Sequence, residues 1–153
     1  MTPFRNPWNY YLRFDTGDLV TAAESACPCG QKPGIILSAT NGRKANLTLT
    51  GNGRPVTLKE LDDTLSTVPG FEQYKLEQTD PHTYRLQMVA GTSDKAALER
   101  PALTVLKDLY GSDSTIEIHF VKDLAPESSG KYLISTARFP IDIERYLDNN
   151  TGK

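Results

Sequence analysis

The chain of 153 residues is long enough to bury one hydrophobic core, or one core with a small attached subdomain. Its 17 basic and 19 acidic residues give a formal charge of −2, a balance that argues against a nucleic-acid surface or a polybasic membrane anchor. No apolar run is long enough to span a bilayer. Because no signal-peptide pattern opens the chain and its two cysteines are poorly placed for a stabilising disulfide, a reducing cytoplasm is the expected location.

The first 44 residues predict short β pieces that need a larger body to pack against. A strand is expected at 19–21, after a Thr-Gly turn, and Asn41-Gly42 predicts a tight turn. Three aromatic residues at the start of this stretch either face a separate partner surface or pack on the rest of the chain; they are Trp8, Tyr10 and Tyr11.

From residue 45 onward the hydrophobic periodicity predicts a self-sufficient α+β unit. Its order is strand, helix, strand, strand, helix, strand (βαββαβ), which is the order of a ferredoxin-like sandwich with two helices on one face of an antiparallel sheet. The strands are predicted at 47–50, 71–78, 83–90 and 115–121, and the second helix at 94–110.

Local signals mark the ends of these helices. Thr57 precedes Glu60 by three residues, the spacing of a capping box, so the first helix begins there. Pro101 is expected to kink the second helix or to split it in two. Apolar residues within 141–147 predict a docking helix near the end of the chain.

Three short motifs follow one another along the chain. FDTGDL occupies 14–19, Asn-Gly-Arg ends at Arg43 before a glycine-rich turn, and PESSGK occupies 126–131. Each alone is a weak signal, but in this order they resemble the closing third of an adenylate-forming enzyme, most closely the phenylacetate–CoA ligase-like branch. Such enzymes join a carboxylic acid to AMP from ATP, with Mg²⁺, and then transfer the acyl group to coenzyme A.

The resemblance also implies a domain organisation. In this family a small mobile α+β domain follows a large adenylation domain. Residues 1–44 would then be the C-terminal β portion of the adenylation domain, and 45–153 the mobile domain. The expected partners are the missing N-terminal adenylation domain and a small-molecule carboxylic acid, with no nucleic acid and no membrane; an oligomer stays open.

Two residues match the family's nucleotide contacts. Asp18 corresponds to the Thr-Gly-Asp aspartate that accepts hydrogen bonds from the ribose hydroxyls, and two carboxylate oxygens suit a vicinal diol. Arg43 corresponds to the Gly-Arg arginine that reaches the ribose or phosphate through its fork of donors. Taken singly, each would be an ordinary turn residue.

The remaining motif residues belong to the mobile domain. Lys131 matches the catalytic lysine, whose ammonium would neutralise charge at the α-phosphate; alone it would be a common exposed lysine. Ala45 and Asn46 occupy the hinge, where the family usually carries an acidic residue. Gly51 and Gly53 form the turn on the coenzyme A side, with spacing shifted by a residue.

Cys27 and Cys29 match a cysteine-containing loop of the same family. Two thiolates one residue apart can form half of a tetrahedral zinc site, but neither His82 nor His119 has ligand spacing to the pair. Zinc is therefore not expected within this chain alone, because the other ligands would have to come from elsewhere.

Two alternatives to the ligase interpretation stay open. The altered hinge and short length also suit a free-standing ferredoxin-like binding or regulatory module derived from such a ligase. A weaker alternative is a zinc-stabilised interaction domain. As part of a ligase, the chain by itself is expected to be inactive.

Overall fold

The computed structural model describes residues 15–23, 29–30, 35–91, 94–126, 130 and 132–147. Within them the chain is α+β. The elements run in the order β1 Asp18–Ala22, β2 Leu37–Arg43, a 3₁₀ turn Lys44–Asn46, β3 Thr48–Leu49, β4 Pro55–Val56, α1 Leu58–Leu65, β5 Phe71–Asp80, β6 Thr83–Ala90, α2 Ala96–Tyr110, β7 Thr115–Val121, β8 Ser135–Ala137 and α3 Glu144–Leu147.

The strands β1 and β2 form a separate two-stranded antiparallel sheet. Asn41-Gly42 lies inside β2, so the predicted tight turn is wrong. The pairing skips Asn41, since Leu19 faces Gly42 whereas Val20 faces Thr40. Gly42 has a φ of +110°, a conformation that glycine adopts readily. Asn41-Gly42 therefore forms a β-bulge. Like a tight turn, a β-bulge favours glycine at positive φ.

A four-stranded mixed sheet, in the order β7-β6-β5-β8, forms the main layer of the fold. β5 and β6 are an antiparallel hairpin, whereas β7 lies parallel to β6 and β8 lies parallel to β5. The predicted ferredoxin-like sandwich is not confirmed, because its sheet would be antiparallel. It would also contain the segment 47–50, which instead pairs with β4 in a small sheet of its own.

Buried hydrogen bonds explain why the segment 47–50 stays out of the main sheet. The Leu49 amide donates to the Gln78 side-chain oxygen over 2.8 Å, and the Gln78 amide nitrogen donates to the Leu49 carbonyl over 2.9 Å. The Tyr84 hydroxyl donates to the same carbonyl over 2.6 Å. The backbone of Leu49 is thus satisfied by side chains, and Gln78 is fully buried without a net loss of hydrogen bonds.

The core lies between the sheet and the two longer helices. In β6, Tyr84, Leu86 and Met88 occupy alternate positions and are fully buried on the helix-facing side. Twelve buried residues make up this cluster, and burial of each large side chain contributes roughly 1.5–3 kcal/mol; they are Val56, Leu61, Leu65, Val68, Leu76, Tyr84, Leu86, Met88, Leu98, Ala102, Leu106 and Tyr110.

The helices confirm one predicted helix start and differ from the sequence prediction in two other respects. The Thr57 hydroxyl accepts a hydrogen bond from the Glu60 amide, which confirms the predicted start of α1. By contrast α2 is one helix with Pro101 in its second turn, so of the two predicted outcomes, a kink or a split, the split does not occur. The exposed proline removes only the hydrogen bond that its own amide would have made. Among the described residues near the end of the chain, helix spans Glu144–Leu147.

None of the helices in the described ranges has the combination of length and apolar character needed to cross a membrane.

Candidate functional site

The two predicted nucleotide-binding residues meet at one end of the β1–β2 sheet. Asp18 is the first residue of β1 and Arg43 the last of β2, and the two are direct register partners. The Arg43 Nε lies 3.6 Å from the Asp18 Oδ1, and 39% of the Asp18 side chain and 63% of the Arg43 side chain are exposed. A carboxylate and a guanidinium are therefore held side by side, and both are open to a ligand.

The turn before β1 presents the Asp18 carboxylate. Gly17 has a φ of +72°, which reverses the chain immediately before the strand. The Asp15 Oδ1 accepts a hydrogen bond of 2.8 Å from the Gly17 amide, and the Thr16 hydroxyl accepts a longer one of 3.4 Å from the Asp18 amide. These side chains fix the backbone of the turn without using the Asp18 side chain.

A second ion pair lies next to the first. Lys44 follows Arg43 directly, and its Nζ donates to the Asp15 Oδ2 over 3.0 Å. Its backbone amide also donates to the Gly17 carbonyl over 2.8 Å. The hydrogen bond from Gly17 and the Lys44 ammonium both lower the pKa of Asp15, which keeps this carboxylate ionised over the whole neutral range. The motif comparison did not identify Asp15 or Lys44.

This arrangement has the chemistry needed to hold a ribose and a phosphate. The carboxylate offers two acceptor oxygens to a vicinal diol, and the long contact of Arg43 to Asp18, its one ion pair among the described residues, uses little of its fork of donors. Close packing of the β2 end on α1 supports the pair. A Cβ built at Gly42 would lie only 3.2 Å from the Leu58 Cβ.

The predicted hinge residues lie in the 3₁₀ turn Lys44–Asn46, which connects β2 to β3. Ala45 is exposed, whereas Asn46 is buried at 8% exposure. The Ser135 hydroxyl donates to the Asn46 carbonyl, which ties this turn to the edge strand β8. The turn is thus packed against the α+β unit rather than free of it.

The predicted coenzyme A-side turn lies at a different place, beside a polar cleft of about 420 Å³. The Gly51 amide donates to the Tyr110 carbonyl over 3.0 Å, and Gly53 has a φ of +84°. Neither Asp18 nor Arg43 lines this cleft, so the structure does not bring the two sets of residues together. The lining residues are Thr50, Gly51, Asn52, Arg54, Asp108, Leu109, Tyr110, Gly111 and Asp113.

A histidine–carboxylate pair beside this cleft was also missed by the sequence comparison. His82 is a turn residue, and its Nδ1 lies 3.2 Å from the Asp113 Oδ2. Gly51 packs beneath it, since a Cβ there would come within 2.8 Å of the same nitrogen. His119 is an exposed residue on a strand. No sequence spacing signals the His82–Asp113 contact, because the two residues come from separate loops.

Two predicted site residues, Lys131 and Cys27, lie outside the described residues. Gly130, just before the lysine, is exposed with a φ of +75°. Cys29 is exposed. Among the described residues no group of three or more His, Cys, Asp or Glu could hold a metal ion, and the half-site of Cys27 and Cys29 stays untested because Cys27 lies outside them.

Comparisons with known proteins give structural neighbours only. No protein-family model matches the sequence, and no curated protein matches it. A structure from a study of fatty acyl-adenylate ligases from E. coli and L. pneumophila superimposes with a TM-score of 0.51 at 18% identity, over 77% of this chain and 20% of that one. A 2-hydroxyisobutyryl-CoA ligase in the postadenylation state, in complex with R3-HIB-AMP, gives a TM-score of 0.53 at 17% identity, over 87% of this chain and 30% of that one.

These neighbours establish the fold. The chain shares the α+β architecture of a portion of acyl-adenylate and acyl-CoA ligases, and it spans less than a third of the length of the solved structures it matches. They do not single out the phenylacetate–CoA ligase-like branch that the motifs suggested.

Proposed function

We propose that this chain is the C-terminal segment of an ATP-dependent acid–CoA ligase and is inactive alone. The observation that carries the proposal is the Asp18–Arg43 pair. Two motif residues 25 positions apart, chosen for a nucleotide role, lie at 3.6 Å on adjacent strand ends, exposed and with opposite charge. The fold shared with acyl-adenylate and acyl-CoA ligases supports the same conclusion independently.

The proposed reaction has two steps. A carboxylate oxygen of the acid attacks the α-phosphorus of ATP and pyrophosphate leaves, which forms acyl-AMP. The sulfur of coenzyme A then attacks the acyl carbonyl carbon, and AMP leaves with the electron pair of the broken C–O bond. In both steps Asp18 would hold the ribose hydroxyls and Arg43 the ribose or phosphate oxygens, so that the α-phosphorus stays in place.

Charge neutralisation would come from Lys131 in the mobile domain. Its ammonium would contact the attacking carboxylate and the α-phosphate as negative charge develops. Mg²⁺ would bind the phosphates of ATP; the described residues contain no group of three ligands for it, so polypeptide beyond them would complete its coordination. The same outer polypeptide would select the acid, which for the phenylacetate–CoA ligase-like branch would be an aryl acid.

The proposed domain boundary falls at residues 44 and 45. The chain up to 44 would stay with the adenylation domain, and the mobile domain would rotate about Ala45 and Asn46. A ligase that draws on ATP and coenzyme A would work in the cytoplasm. The turn at Gly51 and Gly53 would then face the coenzyme A side in the second orientation.

To test this proposal, the rest of the ligase is cloned from the coding region next to this one and added to the chain. Acid-dependent exchange of pyrophosphate into ATP is then measured. Lys131→Ala is expected to lower the exchange rate at least about 100-fold, the scale of losing one charge-stabilising contact. Lys122→Ala removes an exposed lysine outside the motif and should leave the rate unchanged. Full exchange activity in Lys131→Ala would refute the role of the lysine.

A second candidate function is a regulatory or binding module derived from such a ligase. The packing of the hinge favours it, because Asn46 is buried and tied to Ser135 where a mobile domain would need a free joint. Absence of a large-domain gene beside the coding region, together with no exchange activity in any reconstitution, would support this alternative.

A further inference from the structure

A closed ring of contacts surrounds the base of the Asp18–Arg43 pair. Both Asp15 oxygens are used, one by the Gly17 amide at 2.8 Å and one by the Lys44 ammonium at 3.0 Å. The Lys44 amide closes the ring by donating to the Gly17 carbonyl at 2.8 Å. Gly17 directly precedes Asp18 and Lys44 directly follows Arg43, so the ring fixes both backbones next to the charged pair.

We propose that Asp15 and Lys44 are positioning residues, which hold the carboxylate of Asp18 and the guanidinium of Arg43 at the spacing that a nucleotide requires. This inference rests on the proposed nucleotide role of that pair. Asp15 acts through the Gly17 amide and Lys44 through the Asp15 carboxylate, and neither is assigned a contact with the ligand.

Geometry gives the reason why the pair needs such support. The strand ends are exposed, and no atom of the described residues, apart from the chain neighbours, lies within 4 Å of where a Cβ on Gly17, at a φ of +72°, would be. Hydrogen bonds that involve an ionised group are the strongest available at such a site. Because 74% of the Asp15 side chain and 39% of the Lys44 side chain are exposed, the contact should weaken as salt is raised.

The lowered pKa of Asp15 makes the ring observable. The carboxylate stays ionised until the pH falls below the usual range for aspartate, and only then do its two contacts weaken. Among the described residues, the charged groups at this end of the sheet are Asp15, Asp18, Arg43 and Lys44.

The test uses the isotope-labelled 153-residue chain and follows the Gly17 amide by NMR. Its chemical shift should titrate with the Asp15 carboxyl, below the ordinary aspartate range. Lys44→Gln should move that midpoint upward, because it removes the ammonium and leaves the Gly17 contact. Asp63→Asn breaks the exposed Lys59–Asp63 pair of α1 and serves as the matched control, with no change in the midpoint.

AMP titration of the same samples gives the functional readout. Asp15→Ala should weaken AMP binding about tenfold, and Asp15→Asn, which can still accept from Gly17, should weaken it only about twofold to fivefold. Asp63→Asn should bind AMP as the unaltered chain does.

The outcomes separate the two claims. If Asp18→Asn weakens AMP binding but Asp15→Ala does not, or if the Gly17 amide fails to titrate with Asp15, the positioning role is overturned and the nucleotide role stands. If AMP leaves the spectra of the unaltered chain unchanged, the nucleotide role of Asp18 is overturned, and positioning for a nucleotide with it. Weakening in Asp15→Ala with partial recovery in Asp15→Asn supports the inference.

Discussion

Replacing the buried Gln78 by leucine tests how strongly side-chain hydrogen bonds hold residues 47–50 to the main sheet. Gln78 is fully buried, and its side chain accepts from the Leu49 amide at 2.8 Å and donates to the Leu49 carbonyl at 2.9 Å and the Pro81 carbonyl at 3.1 Å. Leucine keeps most of the volume and removes every one of these contacts. The Leu49 amide then has no side-chain acceptor in a partly buried position.

The magnitude follows from these contacts. An unsatisfied amide costs about 1–3 kcal/mol, and each lost hydrogen bond adds roughly 0.5–1.5 kcal/mol. The Leu49 carbonyl keeps its bond from Tyr84, and the leucine side chain gains apolar burial, so the net loss in the free energy of unfolding should be about 2–3 kcal/mol. For a domain of this size, that is a fall in Tm of roughly 4–12 °C.

Urea unfolding measures the effect, with an unchanged m value as the sign that stability alone has altered. Gln73→Leu is the control, because Gln73 is exposed on the same strand, and it should stay within about 0.5 kcal/mol of the unaltered chain. A Gln78→Leu change no larger than that of Gln73→Leu would refute the argument.

Three further predictions concern other parts of the molecule. Gly42→Ala should lower the free energy of unfolding by about 1–3 kcal/mol, because its φ is +110° and the new Cβ would lie 3.2 Å from the Leu58 Cβ; urea unfolding checks this. Tyr110→Phe should cost about 1–2 kcal/mol in the same assay, since it removes the 2.8 Å hydrogen bond to the buried Thr48 hydroxyl. Burial raises the pKa of Tyr84 to about 12, so stability should be full below pH 10 and fall by about 1.4 kcal/mol per pH unit for this residue between pH 10 and 12, as measured by unfolding at each pH.

Each of these has an outcome that would contradict it. Gly30→Ala places an alanine at a φ of +72° with no atom within 4 Å, so an equal cost there would show that the Leu58 contact contributes nothing to the Gly42 effect. A Tyr110→Phe chain as stable as the unaltered one would mean that Thr48 finds another partner. Phenolate absorbance appearing near pH 10 from Tyr84 in the folded chain would remove the basis of the alkaline prediction.

The sequence by itself determined the elements whose signals are local. The Thr57 cap fixes the start of α1, and the alternate positions of Tyr84, Leu86 and Met88 fix the buried face of β6, because both depend only on backbone geometry over a few residues. The order of the motifs also predicted Asp18 and Arg43 as site residues, and the structure places the two side by side. Their contact needed only the antiparallel pairing of two neighbouring strands.

Tertiary structure decided whatever depends on distant partners. β8 pairs with β5, which lies more than 50 residues earlier in the sequence. A strand of three residues is too short for its sequence pattern to predict that pairing. Gln78 has the sequence character of a surface residue, yet it is buried because Leu49 offers it a donor and an acceptor. The ring of Asp15, Gly17 and Lys44 likewise exists only once two strands align, since charge complementarity between separated residues has no local signature.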